Sequence, residues 1–239
     1  MVKYFTLVTA AAGQDAAKFR QWFLREHAPA MLRHCPRLRR FVVNLREPAP
    51  AIENMPRLEE AGGTRRRYQA AAQMWFDAAD DFIDHARLYD SPTAGQAIGE
   101  ALAARAGEVF TCRVTENVEK DAHPELAGER SVGIKMLTLA GWKPGLTDRE
   151  GRLAWQVHAP LALRTHTGFS RYIRNVVEEW LTPGAPDYRG IAELQFLTVD
   201  DAIHRFFPTP AAARIIEFDT ARWMVSYEGA YFAEYVLKK

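Results

Sequence analysis

Two histidines stand in matched surroundings. His27 opens His27-Ala28-Pro29 and is followed by Arg33 and Asn44, while His158 opens His158-Ala159-Pro160 and is followed by Arg164 and Asn175. Every member of the second set lies 131 positions after its counterpart. An imidazole in apolar surroundings titrates near neutrality: desolvation lowers its pKa, a helix C-terminus or a nearby carboxylate raises it, and either way it can take or give a proton. His158 and His27 are therefore the candidate acid/base groups. Arg164 and Asn175, like Arg33 and Asn44, are of types that bind a carbonyl or enolate oxygen, the stabilisation that proton abstraction beside a carbonyl requires. Trp155, Phe169, Tyr172 and Phe196 would supply apolar walls for an aromatic or polyketide-like molecule.

Each residue also has a plainer reading. A histidine can be satisfied by a backbone carbonyl, an arginine can sit at a surface or sheet edge, and an asparagine can hold a turn after a strand. His34, His85, His123 and His204 have no counterpart in the other set and read as ordinary residues. Neither His27/His34 nor His158/His166 has helix-face spacing, so no metal site is expected. Glycine-rich nucleotide motifs and a GxSxG elbow are absent from the sequence, and no cofactor is expected.

The elements that must position these residues follow the same doubling. A β-branched and aromatic run at 3–10 predicts a strand, and Asp15 then caps a helix whose apolar stripe Phe19, Trp22, Phe23 leads to His27. Pro29 should end or kink that helix, leaving His27 in its last turn. Strands at 38–45 and 68–76 flank a long excursion rich in Pro, Gly and Arg65-Arg66-Arg67. Helical pieces from Asp80 to about Ala106 and a strand at 109–118 complete a β-α-β-β-α-β unit. The polar stretch around 120–130 reads as a linker, after which the pattern restarts with a strand at 132–139 and a capping box at Thr147-Asp148-Arg149-Glu150. Strands at 170–177, 190–196 and 231–237 follow, with Asp200-Asp201 and Thr209-Pro210 answering Asp80-Asp81 and Ser91-Pro92.

The division expected is a first repeat at 1–119, a linker at 120–130 and a second repeat at 131–239. A four-stranded antiparallel sheet with helices on one face leaves its other face apolar and bare, and a second such sheet in the same chain would cover it. The fold class expected is α+β, with two ferredoxin-like repeats packed sheet to sheet as a single-chain dimeric α+β barrel.

The run from His158 through Arg164, then Gly168-Phe169-Ser170-Arg171-Tyr172-Ile173-Arg174-Asn175, and later Gly190-Ile191-Ala192-Glu193-Leu194-Gln195-Phe196, resembles the EthD family of the dimeric α+β barrel superfamily. The first copy is similar through Phe19, His27-Ala28-Pro29, Arg33 and Asn44. The resemblance adds Glu193 as the family's strand glutamate, with Gln73 at that place in the first copy, and sets Cys35 opposite His166. His166, Glu193, Trp155 and Tyr172 join the arginines and asparagines as candidate substrate contacts. The second copy lies nearer the pattern and is the one expected to be active.

The function expected is a cofactor-independent lyase or isomerase that dehydrates, decarboxylates, isomerises or cyclises a carbonyl-containing aromatic or polyketide-like small molecule. The alternatives are a cofactor-free or haem-dependent oxygenase on the same barrel, with a histidine as axial ligand in the haem case, and a non-catalytic binding module. Thirty-one basic against 30 acidic residues in 239 leave no basic surface for nucleic acid. No apolar run suits a membrane, and two unpaired cysteines fit a reducing cytoplasm. The partner expected is a small molecule, with a homodimer as the assembly entertained.

Overall fold

The computed structural model describes residues 1–55 and 67–239. In chain order come β1 (Val2–Ala10), α1 (Ala16–Trp22), a π-helical turn (Phe23–His27), α2 (Ala28–His34), β2 (Arg40–Glu47), β3 (Tyr68–Phe76), α3 (Asp80–Ile83), α4 (His85–Leu88), α5 (Pro92–Ala103) and β4 (Ala106–Asp121). Then follow β5 (Ile134–Trp142), α6 (Asp148–Thr165), β6 (Phe169–Trp180), β7 (Gly190–Phe196), α7 (Val199–Arg205), α8 (Pro210–Thr220) and β8 (Met224–Lys238). Side-chain caps fix the helix starts. Asp15, Ser91, Thr147, Thr198 and Thr209 each accept a backbone N–H three residues on, and Thr147 with Glu150 forms the full reciprocal box.

The prolines act differently from the expectation. Rather than ending at Pro29, the first helix passes through a π-helical turn in which the Ala28 N–H reaches back to the Phe23 carbonyl, and it continues to His34. Widening by one residue is a way to absorb an interruption in the hydrogen-bond ladder. Pro160 lies inside α6 without ending it, so His158 is mid-helix.

The strands close into an antiparallel barrel in the order β1-β3-β2-β8-β5-β7-β6-β4. The four strands from 2–121 and the four from 134–238 meet edge to edge at two seams, β2 with β8 (Val42 opposite Val236) and β4 with β6 (Val114 opposite Val177). Strand alternation sends one set of side chains inward: Phe5, Leu7, Phe110, Leu137, Leu139, Ile191 and Phe232 fill one apolar cluster. The other set faces the helices and packs beneath them as separate clusters in each half.

One end of the barrel interior is charged. Glu193 accepts from Lys3 (2.8 Å), Lys135 (2.6 Å), Gln73 (2.8 Å) and Asn175 (2.8 Å). Lys135 also pairs with Glu234, which accepts from Ser131 and Gln195 at 2.8 Å each, and Arg171 extends the network to Asp121 and Glu125. Burial opposes the charge on Glu193, but the Lys135 and Lys3 ammonium groups outweigh it and hold the carboxyl well below its ordinary range. β4 runs to Asp121, two residues into the expected linker, and the segment that follows closes this end through Ala122 N–H to the Ser170 carbonyl and Ser131 N–H to the Glu234 carbonyl.

Of the long excursion, residues 56–66, Arg65 and Arg66 among them, lie outside the described residues. Its start crosses to the other half: the Glu53 N–H donates to the Ile203 carbonyl and Asn54 Nδ2 to the Phe207 carbonyl. Among the described residues no helix is long and apolar enough to cross a membrane.

Candidate active site

α6 buries Gly151, Trp155, His158, Ala159 and Ala162, a stripe at three- and four-residue steps. Gly151 is required there, because a Cβ would stand 2.3 Å from the Trp142 ring. α8 buries Ala212, Ala213, Ile216 and Thr220 beside it, which brings Asp219 to the border of the same groove. His158 Nδ1 meets Asp219 Oδ2 at 2.7 Å, and Trp223 Nε1 donates to that oxygen at 3.3 Å.

A carboxylate only accepts, so the neutral His158 ring carries its proton on Nδ1 and keeps the Nε2 lone pair free. Burial lowers the His158 pKa, and the hydrogen bond and charge of Asp219 restore part of the loss. The imidazole is only 9% exposed but the Asp219 side chain is 26% exposed, so the pair links a dry interior to water.

His158 opens onto an apolar cavity of about 80 Å³, walled by Trp155, His166, Phe169, Tyr172, Phe206, Phe207 and Trp223 and by Met55, Met136 and Met224. His166 Nδ1 donates to the Phe206 carbonyl at 2.5 Å, which makes its other nitrogen an acceptor. Burial holds that ring neutral, its pKa pushed down to about 4. Thr138 adds a hydroxyl to the wall.

Of the residues expected at the site, the structure brings Trp155, His158, His166 and Tyr172 together. Asn175 and Glu193 are bonded to each other inside the barrel, on the opposite face of the sheet, because Asn175 and Tyr172 differ by an odd number of strand positions. Asn44 is likewise buried and donates to the Ala71 carbonyl at 3.1 Å. Arg33 and Arg164 project from the exposed sides of their helices, away from both histidines' cavities. His27 lines a separate cavity in the first half. Ala101 stands 118 positions before Asp219, the offset that separates Ser91-Pro92 from Thr209-Pro210. Asp219 and Trp223 were not among the expected residues.

A haem in the His158 cavity would need both a donor and room. The donor fits: an imidazole whose Nδ1–H is held by a carboxylate presents Nε2 as metal-binding histidines do. The room does not, since about 80 Å³ lies far below even the roughly 300 Å³ of a site for a drug-sized ligand, and Phe169, Phe206 and Phe207 pack across the space at ring separations of 4.4–5.7 Å.

A closed α+β barrel with histidines beneath its helices defines the class. The EthD domain model matches residues 11–99 and 143–226, and the chain belongs to the EthD family. No curated protein sequence matches it. Among solved structures it is similar to an anthrone oxidase-like protein (9% identity, TM-score 0.66, covering 99% of this chain and 91% of that one). It is also similar to a Lactobacillus acidophilus protein provisionally described as a monooxygenase (8%, 0.55, 99% and 95%). A third is a haem-binding protein from Thermus thermophilus (9%, 0.50, 98% and 90%). At these identities the likeness is one of fold. The expected lyase or isomerase is nevertheless overturned: the neighbours are described as oxidase-like, as a monooxygenase and as haem-binding, which favours the oxidative alternative.

Proposed function

We propose that the protein is an oxidase or monooxygenase that activates an aromatic substrate with an acidic C–H bond by proton abstraction and lets the resulting anion react with dioxygen. The observation that carries this reading is the His158–Asp219 pair on the wall of an apolar cavity, a pairing that holds the proton on Nδ1 and leaves Nε2 as the basic nitrogen. The names of the similar structures support it.

His158 Nε2 takes the proton from a CH₂ group flanked by arene or carbonyl, and the Asp219 carboxylate stabilises the imidazolium. The carbanion reduces dioxygen and joins it, forming a C–O bond, and the peroxide anion takes the proton back from His158. A second proton abstraction at the same carbon expels hydroxide as the O–O bond breaks, and hydroxide with the abstracted proton makes water. The balance is R₂CH₂ + O₂ → R₂C=O + H₂O. The apolar walls exclude water from the carbanion. The cavity must enlarge to admit a ring, and the three unbranched methionine side chains on its wall are the groups that can re-pack.

We also read the two halves as copies of one unit, with the second alone active. Lys3 and Lys135, Thr6 and Thr138, and His27 and His158 occupy matching places, but Asp219 is matched by Ala101. Oxygen-electrode assays with anthrone-type substrates test the function. Wild type should consume one dioxygen per substrate and His158→Gln should be slower by about 10²-fold or more. Equal uptake by both proteins would contradict the reading.

A further inference from the structure

The cavity beneath the first-half helices is larger than the one at His158, about 260 Å³, and no charged side chain lines it. Its most buried polar group is His27, 6% exposed and set at the wall beside the Phe23 and Trp22 rings at 4.8 and 5.2 Å, its side chain without a hydrogen bond among the described residues. Burial alone pushes its pKa down to about 4, so at neutral pH the ring is an uncharged donor and acceptor. Without a carboxylate to hold an imidazolium it is poorly suited to act as a base, and well suited to bind.

We propose that this cavity is a binding site for a small, uncharged, single-ring aromatic molecule carrying a hydroxyl group, which hydrogen-bonds to His27. The size argues for one ring, since a dry apolar cavity of about 150 Å³ already takes benzene. Phe82, Tyr89 and Phe23 give ring faces and edges to pack against, and Thr6 and Thr111, bonded to each other at 2.8 Å, add a second polar spot. An ion is disfavoured, because nothing charged on the wall would repay its desolvation. The inference does not rest on the reaction assigned to His158.

The test is a titration of the full-length protein with phenol and, separately, toluene, followed by NMR of ¹³C-methyl-labelled methionines. Both probes should give saturable shifts at Met31 and Met74, which line this cavity. His27→Leu should keep both binding events but lower the phenol-to-toluene affinity ratio about fivefold. Ala72→Leu should abolish the shifts, because Ala72 lines the cavity from β3, is 2% exposed, and a larger side chain there takes up cavity space. Unmoved Met31 and Met74 signals up to the solubility limit, shifts that survive Ala72→Leu, or an unchanged ratio in His27→Leu would each overturn the proposal.

Discussion

Asp219 is what separates the two histidines chemically. With it, His158 has an oriented tautomer and a partner for its protonated form; His27 has neither. Asp219→Asn keeps an acceptor for Nδ1–H but removes the charge, so the turnover number should fall by roughly 10²–10⁴-fold. The acid limb of the pH–rate profile should move to lower pH, because Asp219 is the influence that raises the His158 pKa. A profile that stays in place would show that His158 is not the titrating base. Histidine burial also sets a stability prediction. His27 and His166 have folded pKa values of about 4 against 6.5 in the unfolded chain, so the unfolded state binds more protons between those values. Stability is therefore full above about pH 6.5 and falls as pH drops toward 4, each ring contributing a slope of roughly 1.4 kcal/mol per pH unit. Urea unfolding across that range should show it, and His27→Leu should reduce the slope by about 1.4 kcal/mol per pH unit. His158 was legible in the sequence because its neighbourhood recurs around His27. Asp219 was not, because the residue 118 positions before it is Ala101; the available signal was an acidic residue beside the buried Ile216 and Thr220 of α8, four positions before Trp223.

Strand parity decides which polar residues meet the cavity. Tyr172 faces the helices and Asn175 faces the barrel interior, and the same parity turns Glu193 away from His158 while Leu194 lines the cavity. The expected grouping of Asn175 and Glu193 with His158 came from the recurring spacing and the family resemblance, neither of which carries strand parity, and the sheet separates them. Parity was also the unused clue to the charged interior, since Lys3 and Lys135 share their faces with Phe5-Leu7 and Leu137-Leu139. Within that network Glu193 answers both lysines, so Glu193→Leu leaves Lys3 with Glu116 alone and Lys135 with Glu234 alone, and strips Gln73 and Asn175 of their shared acceptor. It should cost about 3–5 kcal/mol by chemical denaturation, and a loss under about 1 kcal/mol would mean that water reaches the barrel end. The helix ends were the least legible elements. Proline is a reliable breaker only when the chain has no way to widen or bridge the turn, and here both His-Ala-Pro runs stay helical.

At the scale of the whole molecule, the barrel follows from the apolar inner faces of eight strands, and it was expected from the doubled order of elements and from the bare face that each four-stranded sheet would leave. Less visible was that the halves join edge to edge through β2–β8 and β4–β6, because hydrogen-bonded seams leave no compositional trace. Both seams and the shared ion network make each half dependent on the other. Residues 1–121 expressed alone should self-associate or aggregate, and a monodisperse monomer in sedimentation would contradict that dependence. The central claim concerns the reaction itself. It is tested most directly by turning over an anthrone-type substrate under ¹⁸O₂ and weighing the promptly quenched product. The account predicts one labelled oxygen per product molecule, lost in His158→Gln; a product formed without oxygen from ¹⁸O₂, or formed equally well in its absence, would contradict it.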